Sequence, residues 1–237
     1  MIRRYAELFP ADLPPGWLAI CPWGALEWHG DHLPLGLDGI VAEGFSERLA
    51  ERTGGVLLPT TWLPITTLPH RCSLTFSTNL VRQVLDELLE QLQSAGAAKV
   101  ALVTGHYAQG HELEFYAAAA RSPLPVYAAT PLEPLEDEAL LDHAGQHETA
   151  QLHLLRPDLI RLDQISPEVI LGDPPHPPFE GEELFARALD RWEVFLTEDP
   201  RLFYNRRRAV YQPYVDRYLK SNWEQAAADW WAEHQAK

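Results

Sequence analysis

Acidic and imidazole side chains are concentrated in residues 27–38, which read Glu-Trp-His-Gly-Asp-His-Leu-Pro-Leu-Gly-Leu-Asp. This stretch holds three carboxylates and two imidazoles in an otherwise apolar, Gly- and Pro-containing setting. In an extended segment, side chains at positions i and i+2 lie on the same face, so Glu27 and His29 can converge on one point. A carboxylate oxygen and a neutral imidazole nitrogen are donors that zinc, manganese or iron accept. The pair therefore predicts a divalent metal site.

Asp38, at the end of this stretch, has two interpretations. It follows a Gly-containing turn and precedes an apolar helical pattern, so it could cap that helix. It could also return to the same metal, and a carboxylate with two oxygens can bridge two cations. The intervening residues have simpler explanations, because Asp31 beside Gly30 is typical of a turn and His32 of a hydrogen-bonded structural histidine.

Two later stretches carry similar chemistry. His106 follows a strand and Gly105, and His143 lies five residues before Glu148 at the start of a helical pattern. Either histidine alone is readily explained as a hydrogen-bonded core residue, and Glu148 as an acidic residue at a helix N-terminus. A second metal, however, needs another anionic ligand beside His29 and Asp38, and Glu148 is the best candidate.

The elements that must position these residues alternate between strands and helices. Short apolar runs at 17–21, 56–58, 99–103 and 125–129 predict buried strands. Helical patterns lie between them, at 40–52, from 78 to Gly96 and at 112–121, and another runs from 142 to Leu155. This order predicts an α/β fold, a three-layer α/β/α sandwich with a mostly parallel sheet. Ligands of such sheets lie beyond the carboxyl ends of the strands, where residues 27–38 and His106 are placed.

Composition and residue pattern predict the character of four other segments. Residues 133–138 are acidic and predict an exposed loop, and 171–178 are Pro-rich and predict an irregular lid or subunit contact. Arg206, Arg207 and Arg208 predict a solvated face or a contact with an acidic partner. Residues 215–234 predict an amphipathic helix whose Trp223, Trp230 and Trp231 dock on the body or on a neighbouring subunit.

Composition limits the class of protein. The 237 residues fit a single domain, 1–237, with a helical C-terminal tail from about 180. The 19 Lys and Arg against 34 Asp and Glu give a net charge of −15, which argues against nucleic acid or an anionic membrane as the main partner. Two cysteines offer no disulfide framework, and no signal peptide or membrane-spanning run is seen, so a cytoplasmic location is expected.

Three motifs together resemble the creatininase (creatinine amidohydrolase) family. They are Glu-x-His-Gly-x-His-Leu-Pro-Leu-Gly-x-Asp at 27–38, Thr-Gly-His at 104–106, and His-Ala-Gly-x-x-Glu-Thr at 143–149. They occur in the family's order over most of the first 160 residues. The resemblance implies an α/β/α sandwich, two divalent cations (zinc, manganese or iron) per chain, a homo-oligomer that is commonly a hexamer, and hydrolysis of carbon–nitrogen bonds in small amides.

The resemblance also implies individual roles. Glu27, Asp38 and His106 resemble the ligands of a first metal, and His29 with a bridging Asp38 resembles part of the second. Glu148 takes the role of a ligand that creatininase itself carries where this chain has Ala108. The remaining assignments are His143 as the catalytic histidine, with Tyr107 and His32 as substrate-binding residues.

The chain departs from creatininase itself at several positions. Besides Ala108, Leu140 and Leu141 stand where a tryptophan is expected, and the loop after His106 differs from the deformylase form. We therefore expect a binuclear amidohydrolase that uses a metal-bound hydroxide on an amide other than creatinine. The alternatives are a catalytically inactive metal-binding member, a peptidase or deformylase of cofactor maturation, lactone or phosphoester hydrolysis, and a metal-independent binding module.

Overall fold

A five-stranded parallel sheet forms the centre of the computed structural model, which describes residues 2–218 and 228–233. The strands are β1 (Arg3–Arg4), β2 (Leu18–Trp23), β3 (Val56–Leu57), β4 (Lys99–Thr104) and β5 (Val126–Ala129), in the order β1-β3-β2-β4-β5. The central strands β2 and β4 pair along their whole length, from Leu18 opposite Lys99 to Trp23 opposite Thr104. Every residue of β2 is buried, as expected for a strand covered on both faces.

Six α-helices within residues 2–218 cover the two faces of this sheet: α1 (Leu37–Thr53), α2 (Thr78–Ser94), α3 (Gln109–Arg121), α4 (Gln146–Leu155), α5 (Gly181–Phe195) and α6 (Pro200–Tyr218). Helix α1 packs with α4 and α5, whereas α2 packs with α3. Because α1 connects β2 to β3 in one direction and α2 connects β3 to β4 in the other, right-handed crossovers place these two helices on opposite faces. The predicted three-layer α/β fold is confirmed.

Local sequence accounts for the ends of these helices. Ser77 caps α2 by accepting a hydrogen bond from the backbone N–H of Leu80, and the helix buries Val81, Leu85, Leu89 and Leu92 on one stripe. Helix α1 begins at Leu37, three residues earlier than the apolar pattern indicated, with Gly36 as its N-cap. Asp38 therefore lies inside the first turn, and the capping interpretation of Asp38 is wrong.

Strand β1 was not predicted from the sequence. Arg3 and Arg4 pair in parallel with Val56 and Leu57 at the edge of the sheet. Two arginines carry none of the apolar signal of a strand, because Arg3 is exposed and only the backbone completes the sheet. The other strands were predicted from runs of apolar residues that indicate burial, and this edge strand has no such run.

The prediction of solvent exposure holds for most charged residues of the acidic segment and the arginine run, and it is wrong for one charged residue in each, Glu133 and Arg207. Glu133 is fully buried, and so is Arg207, whose Nε donates to the Glu133 carboxylate at 2.8 Å. Arg207 also forms an ion pair with Glu138 and donates to the Tyr211 hydroxyl at 2.9 Å. Compensating charges thus bury a polar cluster that composition alone assigns to the surface.

Replacing Arg207 with methionine is expected to lower the free energy of unfolding by about 3–5 kcal/mol, because the change leaves the Glu133 carboxylate buried without its counter-charge. Urea denaturation measures this difference. Arg206→Met is the matched control: Arg206 is the adjacent residue on the same helix and pairs with Glu136, but its side chain is 47% exposed. The control should cost less than about 1 kcal/mol, and equal losses in the two variants would contradict the proposed burial effect.

The last segment that the structure describes, residues 228–233, packs against the body of the protein. Residues 228–233 are helical, and the buried ring of Trp231 meets Trp28 edge-on, with 6.4 Å between ring centroids. Docking of this segment on the body is therefore seen at Trp231, while Trp223 lies outside the described residues. Among the described residues, no helix is both long and apolar enough to cross a membrane. Cys21 and Cys72 are free thiols.

Candidate metal centre

The carboxyl edge of the sheet gathers all five predicted metal ligands. Glu27 and His29 lie in the loop that follows β2, and His106 lies in the loop that follows β4. Asp38 and Glu148 lie in the first turns of α1 and α4. These ligands are buried, so three carboxylates and two imidazoles share a site with little access to water.

Two close backbone approaches bring α1 against the strand ends. A Cβ atom on Gly105 would lie 1.9 Å from the carbonyl oxygen of Asp38, and a Cβ atom on Gly24 would lie 2.3 Å from the Cα atom of Gly39. No larger residue fits at either contact. Glycine at 24 and 105 therefore lets the first turn of α1 place Asp38 directly over the ends of β2 and β4.

The ligand atoms form two groups that share Asp38. In the first group, His106 Nδ1 lies 2.8 Å from Glu27 Oε2 and 3.4 Å from Asp38 Oδ2. In the second, His29 Nε2 lies 3.2 Å from Asp38 Oδ1 and 3.6 Å from Glu148 Oε2. Each of the two oxygens of Asp38 thus belongs to a different group, as a bridging carboxylate requires.

The spacing and pairing of these atoms fit metal ligands. Donors that each lie about 2.1 Å from a tetrahedral zinc ion are about 3.4 Å apart, close to most of the distances above. Several donors also have no hydrogen-bond partner although they are buried: Glu27 Oε2, His29 Nε2 and both oxygens of Asp38. Leaving such groups unpaired is costly, and a bound cation would satisfy them together.

Backbone carbonyl groups fix the orientation of each imidazole. His29 Nδ1 lies 3.1 Å from the carbonyl oxygen of Glu27, and His106 Nε2 lies 3.1 Å from that of Ile65. Since a carbonyl oxygen only accepts hydrogen bonds, these nitrogens carry the proton and donate. The opposite nitrogens, His29 Nε2 and His106 Nδ1, are the ones that face the carboxylates, as metal-ligating histidines require.

One loop holds both ligands of the first group. The Ile65 carbonyl accepts from His106, and the backbone N–H of Leu68 donates to Glu27 Oε1. Between them, Thr66 adopts a left-handed conformation with φ of 61°, which is strained for a β-branched residue. His111 braces the loop from below, accepting from the Ile65 N–H at 3.4 Å. The strained conformation of Thr66 therefore helps this loop to hold both His106 and Glu27 in position.

The electrostatics of the site also indicate a place for cations. Burial opposes charge on His29, yet the carboxylates of Asp38 and Glu148 outweigh it and raise its pKa to about 10. The pKa of His106 is raised in the same way by Glu27 and Asp38. Burial would raise the pKa of Asp38, but these two imidazoles hold it well below its usual value. The three carboxylates thus favour positive charge at the two imidazoles, where bound metal ions would supply it.

His143 borders both groups. One of its ring nitrogens lies within 4.8 Å of ligand atoms of Glu27 and His29, and its ring stacks on that of His29 with 4.3 Å between centroids. Its Nε2 donates to the Trp28 carbonyl at 3.2 Å. Burial and the charge on His29 lower its pKa to about 4. A neutral imidazole beside the ligand groups can accept and return a proton.

The segment around His143 is tied down on both sides. Its backbone N–H and C=O pair with Leu171, the first residue of the Pro-rich stretch, so that stretch begins as a wall of the site. Ala144, in a left-handed conformation with φ of 53°, donates its N–H to Glu148 Oε2 at 2.6 Å. The carboxylate of Glu148 can thus accept this hydrogen bond from the backbone and also serve as a metal ligand.

A cavity of about 290 Å³ opens onto the first ligand group. Glu27, His106 and His143 line it on one side, and Tyr107 lies in its wall. The Tyr107 hydroxyl donates to Glu138 at 3.3 Å, and burial raises the pKa of this phenol, which keeps the proton in place. Tyr107 therefore lies where a substrate-binding residue is expected.

The structure does not bring His32 into this cavity. Its ring is fully buried, and its Nε2 donates to the Ala144 carbonyl at 3.1 Å. His32 thus supports the left-handed turn beside His143, and a direct contact with substrate is not consistent with this position.

Several residues that build the site were not identified from the sequence. His111 and Thr104 form a hydrogen-bonded pair at 3.2 Å beneath His106, and Arg207 donates to the hydroxyl of Tyr107 at 3.4 Å. A signal existed for His111, because it lies only five residues after His106, in the first turn of the helix that follows this strand-end loop. No local signal exists for Arg207, which comes from a helix 100 residues further along the chain.

Comparison with known proteins finds relatives in sequence and in fold. The chain is similar to the creatinine amidohydrolase of Pseudomonas putida, with 26% identity over 188 residues that span 67% of this chain and 72% of that protein. A crystal structure of creatinine amidohydrolase (creatininase) shares the fold with a TM-score of 0.68 at 18% identity, over 83% of this chain and 98% of that one. A manganese form of creatininase matches with a TM-score of 0.68 at 18% identity, over 84% and 100% of the two chains.

A family model supplies the assignment. The model described as creatininase, creatinine amidohydrolase, matches residues 6–194, which include every candidate ligand and His143. The chain therefore belongs to the creatininase family of hydrolases that act on carbon–nitrogen bonds.

Proposed function

We propose that this protein is a binuclear metal-dependent amidohydrolase acting on a small amide or cyclic amide. The observation that carries the proposal is the position of Asp38, whose two oxygens face His29 and His106 at 3.2 and 3.4 Å in separate ligand groups. Glu27 and His106 would complete one site, and His29 and Glu148 the other. Solved relatives are described as zinc and manganese forms, which supports either metal here.

The chain supplies orientation and proton transfer. When bound, the two metals would supply an activated water and polarise the carbonyl oxygen of the amide. His143, held by the Trp28 carbonyl beside His29, is placed to take a proton at its free nitrogen and to deliver it to the leaving amine nitrogen. The buried ligand cluster keeps bulk water from the reacting groups.

The substrate is proposed to differ from creatinine, on which the Pseudomonas putida relative is named to act. The cavity is about 290 Å³, enough for one small molecule. Ala108 and Leu141 line it, at or next to positions where the chain departs from creatininase itself. These short or aliphatic side chains would give the cavity a different lining while leaving the ligands in place.

Metal content measured on protein purified without chelator tests the metal centre. We expect about two ions per chain in the wild type and about one in Glu148→Ala, because Glu148 contributes to only one of the two groups. Glu168→Ala, which removes an exposed carboxylate from the neighbouring segment, should leave the content unchanged.

A panel of linear and cyclic amides, together with matched esters and phosphoesters, then tests the reaction class. Amide hydrolysis that is lost on chelation and restored by zinc or manganese is the expected result. Absence of metal from the wild type after reconstitution would refute the proposal. Metal without turnover on any substrate would instead favour the inactive metal-binding alternative. The homo-oligomer, a hexamer by family resemblance, stays a prediction that light scattering can test.

A further inference from the structure

One wall of the cavity comes from outside the part of the chain that the family model matches. The match ends at residue 194, before α6 (Pro200–Tyr218) and the helical residues 228–233. Tyr214 and Trp230, from these two helical segments, both line the cavity. The protein thus adds an aromatic wall to a site whose ligands belong to the family fold.

The body of the protein holds this wall firmly. Arg207 anchors α6 through its buried ion pair with Glu133 and its contact with the Tyr107 hydroxyl. The helical residues 228–233 are anchored by the buried ring of Trp231, which packs on Trp28, immediately after the ligand Glu27. Both attachments end at residues that touch the site, so the position of the wall is coupled to the ligands.

The two carboxylates that line the cavity outside the ligand groups already have partners within the protein. Glu138 is paired with Arg207, and the two oxygens of Asp142 accept from the backbone N–H groups of His147 and Glu148 at 2.7 and 3.0 Å. Among the lining residues that the structure describes, none is a lysine or an arginine. A negatively charged group on the substrate would therefore find no counter-charge among these residues.

Away from the ligands, His143 and these carboxylates, most of the lining is aromatic or aliphatic, and Thr66 and Gln109 are its uncharged polar residues. Tyr107, Tyr214 and Trp230 present aromatic rings, and Leu68, Leu141 and Leu171 present aliphatic surface. Aromatic rings of this kind favour a planar partner by stacked or edge-on contact beyond the effect of buried area.

We propose that Tyr214 and Trp230 of the C-terminal segment select the substrate, and that they admit amides whose non-reacting group is an uncharged aromatic ring. The inference rests on the proposed function, because the ring is placed relative to a carbonyl group held at the metal centre. It extends that function by naming the substrate class and the residues that recognise it.

Two hydroxamic acids that share one metal-binding group test the proposal without relying on turnover. Benzohydroxamic acid carries an aromatic ring and acetohydroxamic acid a methyl group, so the ratio of their dissociation constants isolates the wall. On zinc-loaded, full-length protein, calorimetry is expected to show at least about tenfold tighter binding of benzohydroxamic acid. A carboxylate at the para position of its ring should cancel this preference.

Three variants assign the preference to the wall. Trp230→Leu removes the ring but keeps apolar bulk and should bring the two dissociation constants within about threefold of each other, whereas Trp230→Phe should retain the preference. Val210→Ala, at an exposed position on α6, should behave as the wild type.

The possible results distinguish failure of the proposal about the wall from failure of the proposal about the metal centre. Equal binding of the two acids to the wild type, or an undiminished preference in Trp230→Leu, would refute the proposed role of the aromatic wall. Neither result would contradict the proposed metal centre. Equal or tighter binding of the para-carboxylate would overturn the requirement for an uncharged ring. Binding of neither acid would overturn the proposed metal centre and the wall together.

Discussion

Asp38→Asn is expected to remove both metal ions from the protein and to lower turnover by about 10³-fold or more. Asp38 is the one residue shared by the two ligand groups, with Oδ1 facing His29 and Oδ2 facing His106. An amide has a single acceptor oxygen and no charge, so it cannot bridge two cations. Metal analysis and turnover on the best amide from the panel measure the two effects on the same preparation.

The control for this prediction lies in the loop that leads into α1. Asp31→Asn makes the same chemical change at an exposed position seven residues away and should leave metal content and turnover near wild type. Comparison with Glu148→Ala gives the sharper result, since only Asp38 should affect both ions. If Asp38→Asn kept one ion per chain, the bridging role would be refuted although the residue could still bind one metal.

His143→Ala is expected to lower turnover by about 10²- to 10⁴-fold while the metal content stays at the wild-type level. His143 is held by the Trp28 carbonyl and lies beside His29, but the five ligands complete both groups without it. Removing it should therefore take away proton transfer and leave the cations in place. Added imidazole should recover part of the lost rate, because a small base can enter the space that the side chain leaves.

His153→Ala provides the comparison for His143. His153 is a histidine further along the same segment, exposed on α4, and its removal should change turnover little. A His143→Ala variant that lost metal along with activity would make His143 a ligand, and full activity would show that it takes no part in proton transfer.

The sequence predicted the sheet well because its central strands are uniformly apolar. Strands β2 and β4 read as continuous buried runs, and the crossover rule then placed their carboxyl ends together. It failed for β1, where two arginines contribute backbone but no burial pattern. Such an edge strand is specified by its partner β3, and that information lies more than 50 residues away.

The candidate site was predictable where function demands particular residue types at short spacing. Glu27, His29 and Asp38 lie within twelve residues, and the structure brings all three to one place. The surroundings were not predictable in the same way. The buried position of Arg207 depends on Glu133 and Glu138, about 70 residues earlier in the chain, and an arginine run alone indicates solvent. When opposite charges pair in the interior, a charged residue can be buried although the composition of its segment predicts exposure to solvent.

The cavity wall was also beyond local reasoning. Trp230 and Trp231 are adjacent, yet one lines the cavity and the other packs on Trp28. The amphipathic pattern of the tail predicted docking but not its target. Which face of a terminal helix meets a cavity depends on the shape of the body, and a pattern along one helix does not encode that shape.

The imidazoles of the site are oriented by main-chain carbonyl groups, at Glu27 for His29, at Ile65 for His106 and at Trp28 for His143. A carbonyl group is the same whatever side chain its residue bears. The side chains at 28 and 65 therefore do not decide how a ligand imidazole is turned, and they act through packing instead: Ile65 is buried in the core and Trp28 packs on Trp231. The reaction centre is thus oriented by the backbone, whereas the cavity wall is made of side chains such as Tyr214 and Trp230, and substitutions confined to those two positions offer a starting point for directed evolution of new amide specificities.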